Sequence, residues 1–253
     1  MLPIMLSVVL PAYNEEQVLA KSIRGLAEAL DSTDIPYELL VVNDGSSDGT
    51  EQKLIELEQI YPALRHVNNA PNHGLGHAVR CGLANYQGDT VAVMMADSSD
   101  SPQDLIAYYR KIQEGYECAF GSRFVPGAVV ENYPAFKLMI NRLGNRLMGV
   151  LFRVRYNDFT NPFKCYRREI IDAMQPLVSG QFNLAIEMSL KAIAQNPKYA
   201  VVPTSWRNRD AGKSKFKVFS QSYLYLLTMF YCLVVTKVGP RLGRSVRRVD
   251  QNR

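Results

Sequence analysis

The sequence predicts an α/β fold with a mostly parallel central sheet, and two observations support this prediction. Short runs made almost entirely of apolar residues recur along the first 121 residues, as in strands that are buried on both faces of a parallel sheet. Segments with apolar residues at helical spacing lie between these runs. This alternation is typical of an α/β domain.

Each element follows from its local pattern. The predicted strands lie at 4–10, 37–42, 90–96 and 117–121. The first run is too short for a signal peptide and has no basic residues before it, so we interpret it as a buried strand. Two helical faces lie between these strands, formed by Val18, Leu19, Ile23, Leu26, Ala27 and Leu30, and by Leu54, Ile55 and Leu57. The pattern of residues 134–203 is less regular and mostly helical.

Composition excludes several classes of protein. The chain has 253 residues, of which 47% are hydrophobic and 21% are charged, which suits a globular domain with a sizeable core. Disordered, collagen-like and disulfide-scaffold proteins are excluded. The four cysteines lie far apart and none is in a Cys-x-x-Cys pair. We therefore expect reduced thiols in a cytoplasmic setting, without a zinc site or a disulfide framework.

The net charge of +5 is concentrated near the C-terminus. Residues 204–253 contain eleven Lys and Arg against Asp210 and Asp250, a local charge of +9, so the preceding residues carry −4. This distribution favours phosphates or an anionic membrane surface as partners, and we expect no nucleic-acid binding.

Polar residues follow three of the predicted strands, at the sheet edge where α/β proteins bind ligands. Asp44 directly ends an apolar strand, and its carboxylate is suited to accept hydrogen bonds from a nucleobase or ribose. We interpret Ser47 and Asp48, a few residues later, as caps of the next helix. Asp97 and Asp100 suit a divalent cation that bridges a diphosphate. Asp100 also precedes Pro102, so for this residue a helix cap is an equal alternative.

Residues 72–82 contain a Gly-x-Gly pair and two histidines four residues apart. A lone Gly-x-Gly is weak evidence for phosphate binding, although Gly74 and Gly76 suit a close approach of backbone. His73 and His77 have no obvious third ligand nearby, so we do not predict a zinc site.

Two segments carry cations that suit phosphate binding. Arg123 follows the strand at 117–121, and a loop with a central glycine holds Arg209, Lys213 and Lys215. Arginine can form a bidentate pair with phosphate oxygens, although a solvated basic loop is the plainer alternative.

A helix is predicted at 136–151, with an apolar face opposite Arg142 and Arg146. The apolar face consists of Phe136, Met139, Ile140, Leu143 and Leu147. Such an arginine pair is usually only solvated, but here it could also receive an anionic acceptor.

Residues 218–236 form an uncharged stretch of 19 residues, which would span about 28 Å as a helix. We expect this helix to lie in a membrane interface, with the basic tail on anionic lipid. A full span and a plain core or dimer helix stay open.

The motifs AYNEE, VNDGSSDGT, SRF and RNRDAGKSK, with the acidic segment around Asp97, occur in an order that resembles family 2 glycosyltransferases. Within that family the chain is most similar to the dolichyl- or polyprenyl-phosphate mannosyltransferase group. The resemblance covers residues 6–216. It implies a GT-A-type fold over 1–216, and 217–253 would form a membrane-associated helix and basic tail at the cytoplasmic face.

The resemblance also implies roles by position. Asp97 and Arg123 would be catalytic, and Arg123 and Arg142 would hold the acceptor phosphate. A Mg²⁺ or Mn²⁺ ion would be bound by Asp97, Ser99 and Asp100. Donor contacts would come from Pro11, Tyr13, Glu15, Asp44, Ala96, Arg209 and Lys215. One departure bears on the metal: Met95 stands where the family has the first Asp of its Asp-x-Asp motif.

The implied reaction moves a hexose, with mannose favoured, from a nucleotide-sugar to polyprenyl or dolichyl phosphate, with inversion. GDP-mannose is the favoured donor, and a UDP-hexose is the alternative. An ionised phosphate nucleophile needs no strong general base, which agrees with the lack of an evident catalytic histidine. Two alternative functions stay open: a glycosyltransferase that acts on a glycan or other acceptor, and a nucleotide-sugar-binding partner protein without activity. A homo-oligomer or a membrane partner also stays open.

Overall fold

The computed structural model describes residues 4–71, 73–207 and 218–238. The strands are β1 (Leu6–Ala12), β2 (Tyr37–Asn43), β3 (Leu64–Asn68), β4 (Thr90–Val93), β5 (Cys118–Ser122), β6 (Val129–Glu131), β7 (Lys164–Arg167), β8 (Tyr199–Pro203) and β9 (Ser205–Arg207). The α-helices are α1 (Glu16–Asp31), α2 (Thr50–Glu58), α3 (Leu75–Asn85), α4 (Pro102–Gln113), α5 (Ala135–Phe152), α6 (Arg168–Ala173), α7 (Leu184–Ala194) and α8 (Val218–Leu233). A π-helical turn at Val234–Val238 follows α8.

Seven strands form one sheet in the order β3-β2-β1-β4-β7-β5-β8. All neighbours in this sheet are parallel except β7, which pairs antiparallel with both β4 and β5. A separate two-stranded sheet pairs β6 with β9. The predicted α/β class with a mostly parallel sheet is confirmed.

Helices cover both faces of the sheet, and this explains why β1 and β2 are mostly apolar. In β1, Val8 and Leu10 belong to the core on one side and Val9 to the core on the other. Leu39 and Leu40 of β2 divide in the same way. Because successive side chains point to opposite faces, a strand covered on both sides is apolar at most positions.

Several elements differ from the sequence prediction. Strands β3, β7 and β8 were not located by it, and β7 and β8 lie inside the region that we predicted to be mostly helical. In α2, Leu54 and Leu57 are buried as expected, but Ile55 is exposed. Its position on the outer side of a short helix leaves it in solvent.

Helix α5 forms where predicted, but most of its apolar face is uncovered. Phe136, Met139, Leu143 and Leu147 are all exposed, and Ile140 is partly buried. Helix periodicity fixes which residues share a face, but it does not tell what covers that face.

Helix α8 packs against α7 through polar contacts as well as apolar ones. The Asn183 amide donates to Thr228 Oγ1 at 2.8 Å, and Lys191 Nζ donates to the Tyr231 hydroxyl at 3.3 Å. On the outer side, Leu227 and Phe230 are exposed. None of the helices in the described ranges combines the length and the apolar character that a bilayer crossing requires.

Candidate active site

One cavity of about 530 Å³ lies where the carboxyl ends of β1, β2, β4 and β5 meet. This edge of a parallel sheet is where α/β proteins bind ligands. Residues that the sequence singled out make up one wall of the cavity: Pro11, Tyr13, Glu15, Asp44, Asp97, Ser99 and Arg123, with Met95 beside them. The predicted acidic and cationic residues therefore converge on one space, and their individual roles stay predictions.

The loops after β1 and β2 are joined by hydrogen bonds. The Asn14 amide donates to Ser46 Oγ at 3.0 Å, and the Glu15 amide donates to Thr50 Oγ1 at 2.9 Å. These bonds hold the Tyr13 and Glu15 segment next to the loop that carries Asp44.

Asp44 is buried, and its carboxylate organises the start of α3. It accepts hydrogen bonds from Asn69 Nδ2 at 2.7 Å and from the Gly74 amide at 3.0 Å. The fixed carboxylate thus lies at the cavity wall with its orientation already set.

Gly74 and Gly76 allow a close approach of backbone, but what approaches is this chain's own segment at 180–181. A Cβ on Gly74, which has a φ of +100°, would lie 2.4 Å from Gln181 Nε2. On Gly76 it would lie 2.5 Å from the Gly180 carbonyl carbon. The Gly-x-Gly pair therefore joins α3 to the segment before α7.

The acidic loop after β4 is tightly folded. Asp97 Oδ1 accepts from the Ser99 amide at 3.1 Å, and Asp100 Oδ2 accepts from the Met95 amide at 3.2 Å. Ala96 and Asp100 are buried and do not line the cavity. Burial, and then the charge of Asp97, raise the pKa of Asp100 to about 7.

The residues at this wall fit a hard divalent cation that takes much of its coordination from a bound diphosphate. Asp97 and Ser99 offer carboxylate and hydroxyl oxygens at the cavity, the ligand type that Mg²⁺ and Mn²⁺ prefer. Met95 supplies no oxygen ligand at the position where the resemblance implies a carboxylate. Within the described ranges, no cluster of three or more His, Cys, Asp or Glu side chains could hold a metal by itself.

Arg123 directly follows β5 and is a fixed cation at the cavity. Its Nε and Nη2 donate to Asp158 at 2.8 and 2.7 Å, and its guanidinium carbon lies 5.6 Å from the centre of the Phe124 ring. Burial alone would lower the pKa of Arg123, but the charge and hydrogen bonds of Asp158 outweigh burial and raise it. Arg123 is therefore permanently charged.

Arg142 on α5 contacts the same aromatic ring as Arg123. Its guanidinium carbon lies 5.7 Å from the centre of the same Phe124 ring. Arg142 itself is exposed on α5 and does not line the cavity. The other two predicted phosphate-binding cations, Arg209 and Lys215, lie outside the described residues.

Sequence reasoning missed much of the remaining wall. The rings of Tyr133 and Trp206 are in contact, with centres 5.1 Å apart and planes tilted by 54°. Trp206 also forms a β-bridge with Asp100. The only tryptophan in the chain, so close to the basic motif, was a signal that could have been used. Further lining residues that were not predicted are Asn141, Thr160, Pro162, Gln181, Phe182, Tyr225 and Met229.

The family model for glycosyl transferase family 2 matches residues 7–174, well over half of the chain. The chain belongs to this family. The matched region ends just after α6 and contains the strand ends that carry Asp44, Asp97 and Arg123. The family that the sequence motifs indicated is confirmed.

Curated relatives extend the match. The chain is 31% identical over 214 residues to the dolichol-phosphate mannosyltransferase of Pyrococcus furiosus, covering 83% of this chain and 59% of that protein. It is also 31% identical over 214 residues to the polyprenol monophosphomannose synthase of Mycolicibacterium smegmatis, covering 82% and 79%. The chain thus spans about three fifths of the length of the first of these relatives.

Solved structures confirm the GT-A-type fold. Glucosyl-3-phosphoglycerate synthase from Mycobacterium tuberculosis, in complex with Mn²⁺, UDP-glucose and phosphoglyceric acid, has a TM-score of 0.69 and 18% identity, covering 90% of this chain and 79% of that one. The same enzyme with Mg²⁺ and UDP has a TM-score of 0.64 and 18% identity, covering 92% and 79%.

Proposed function

We propose that the protein is an inverting glycosyltransferase that moves a hexose from a nucleotide-sugar to a polyprenyl phosphate. One observation carries the proposal: the cavity has a charged end and an apolar end. Asp97 and Arg123 line the charged end, and the cavity continues between α5 and α8, where it is lined by Leu147, Met148, Leu226 and Met229. A phosphate joined to a hydrocarbon chain has matching chemistry.

Mannose is the favoured sugar and GDP-mannose the favoured donor, because both curated relatives are named for mannose transfer. A UDP-hexose is the alternative donor, supported by the UDP-glucose bound to a structural neighbour. The buried Asp44 carboxylate would bind the nucleoside, with Tyr13 and Glu15 beside it.

The acceptor phosphate is already ionised near neutral pH, since the second pKa of a phosphate monoester is about 6. The protein therefore acts mainly by positioning the two substrates and by stabilising charge, and less by removing a proton. Arg123 would hold the acceptor phosphate close to the anomeric carbon. Attack on the face opposite the leaving diphosphate would invert that carbon.

Asp97 and Ser99 would hold a Mg²⁺ or Mn²⁺ ion, which would stabilise the charge on the leaving diphosphate. Mg²⁺ commonly keeps waters and uses substrate phosphates as ligands, so one protein carboxylate suffices. The divalent ions in the structural neighbours support this assignment. Arg209 and Lys215 are proposed to contact the same phosphates.

The outer faces of α5 and α8 are proposed to lie on the cytoplasmic surface of a membrane. Leu143 on α5 and Leu227 and Phe230 on α8 are exposed, and Arg142 and Arg146 on α5 are exposed as well. A helix with one apolar face and flanking cations favours the membrane interface. The polar contacts of α8 with α7 support a helix lying along the domain instead of one that leaves it.

The proposal is tested by mixing the purified protein with short-chain polyprenyl phosphate, Mn²⁺ and one of three donors, GDP-mannose, UDP-glucose or UDP-GlcNAc. Mass spectrometry of the lipid should show one added hexose with at least one donor. GDP-mannose is the donor that we expect to give this product. Donor binding without a glycolipid from any of the three would instead support a binding protein without activity.

A further inference from the structure

We infer that Asp158 is a positioning residue that sets the orientation of Arg123 for the acceptor phosphate, an inference that rests on the proposed function. Three bonds join the two residues. Asp158 accepts from the Arg123 backbone amide at 2.9 Å, from Nε at 2.8 Å and from Nη2 at 2.7 Å. Both the backbone and the fork of the arginine are thus fixed by one carboxylate.

Asp158 acts through Arg123 and not on the substrates directly. Its side chain is fully buried and it does not line the cavity, whereas Arg123 does. Both oxygens of the Asp158 carboxylate are engaged by the guanidinium, which directs the side chain at Arg123. The pair therefore fixes the orientation in which Arg123 faces the cavity.

Further hydrogen bonds extend this arrangement to α5. Thr160 Oγ1 accepts from Arg123 Nη2 at 3.1 Å and donates to Asn141 Oδ1 at 3.0 Å. Asn145 Oδ1 accepts from the Phe159 amide at 2.6 Å. The loop that carries Asp158 is therefore held to the helix that forms one side of the cavity.

The loop of Arg123 is held on its other side as well. The Tyr156 hydroxyl donates to the carbonyl of Gly121 at 2.8 Å and to the carbonyl of Asp158 at 2.6 Å. Ser122 Oγ donates to Asn157 Oδ1 at 2.6 Å. Asp158 is the charged centre of this contact between the β5 loop and the segment before β7.

A displaced cation near the reacting atoms lowers the rate steeply, because a misplacement of 1 Å can cost about 100-fold. Asp158→Asn keeps the shape and removes the charge. We expect kcat/KM for polyprenyl phosphate to fall about 100-fold, while the affinity for the nucleoside diphosphate, measured by calorimetry, stays that of the wild type. Thr160→Val, which removes one bond to the guanidinium, should lower kcat/KM about tenfold.

A matched control separates positioning from stability. Glu38 is a buried carboxylate that accepts from Arg65 Nε at 2.7 Å and from the Gln87 amide at 2.6 Å, at the amino end of β2, far from the cavity. Glu38→Gln should lower the thermal unfolding midpoint and leave the kcat/KM of the folded protein unchanged. If Asp158→Asn does not fold, Thr160→Val still tests the inference, because it also removes a hydrogen bond that orients the Arg123 guanidinium.

A double substitution shows whether Asp158 acts through Arg123. Once Arg123 is replaced by lysine, the other substitutions should have little further effect. The double variant Arg123→Lys with Thr160→Val should have the same kcat/KM as Arg123→Lys alone. Adding Asp158→Asn to Arg123→Lys should lower kcat/KM only slightly further. The inference is overturned if the fold losses in kcat/KM of the single variants multiply in the double variants. It is also overturned if Asp158→Asn and Thr160→Val both show wild-type kinetics for the acceptor. No transfer by the wild type would instead overturn the proposed function and this inference with it.

Discussion

Replacing Leu143 and Phe230 with glutamine should weaken binding to anionic vesicles by about 100-fold. Leu143 on α5 is 69% exposed and Phe230 on α8 is 65% exposed. Full burial of such side chains is worth roughly 2 to 2.5 kcal/mol. Scaled by exposure, each contributes about 1.5 kcal/mol on entering a lipid interface, which is about tenfold in affinity for each residue.

The assay is co-sedimentation with vesicles that contain anionic lipid, at constant salt. Ile60, in the turn that follows α2, is 64% exposed and is a matched apolar residue away from α5 and α8. Ile60→Gln should bind vesicles like the wild type. Because all three side chains are exposed, the thermal midpoints should stay close to that of the wild type.

The reasoning is refuted if Leu143→Gln with Phe230→Gln binds vesicles as tightly as the wild type. It is equally refuted if Ile60→Gln loses as much binding as the double variant. In either case the exposed faces of α5 and α8 would not be the membrane contact.

Further predictions concern the metal site and backbone packing. Asp97→Asn should lower transfer at least about 100-fold without lowering the unfolding midpoint, because one oxygen ligand of the diphosphate-bound cation is weakened; near-normal turnover would contradict the role of Asp97. EDTA should abolish transfer and Mn²⁺ or Mg²⁺ should restore it, and full activity in EDTA would exclude the metal. Gly76→Ala should destabilise the fold by about 1–3 kcal/mol, because its Cβ would lie 2.5 Å from the Gly180 carbonyl carbon. Gly25→Ala, with nothing within 4 Å of its Cβ, should stabilise α1 by about 0.5–1 kcal/mol, and thermal unfolding measures both.

The strands that could be predicted from the sequence are those with both faces covered. β1 and β2 are mostly apolar for that reason. β3 lies at the sheet edge, where Arg65 and His66 are only partly buried, so it lacks an apolar run. β7 includes Lys164, a fully buried lysine whose amine donates to the carbonyl of Asn161. A charged residue in a short strand gives no strand signal, because its partners come from the tertiary structure.

The candidate site was predictable where a residue directly follows a strand. Asp44 and Arg123 have that position, and Asp97 lies four residues after the end of β4. The sheet brings all three to one edge. Asp158 lies 35 residues beyond Arg123 in an irregular segment, and only the folded chain brings the two together. The exposed face of α5 was visible as a periodicity, but its lack of a covering element depends on how the whole domain packs.

The most direct measurement is a competition between acceptors for one donor. The protein would be given labelled GDP-mannose and Mn²⁺ with polyprenyl phosphate in vesicles and phosphoglyceric acid in solution, and both products would be separated and counted. The apolar extension of the cavity between α5 and α8 predicts that the label enters the lipid. Label found only in the water-soluble product would contradict the proposed acceptor.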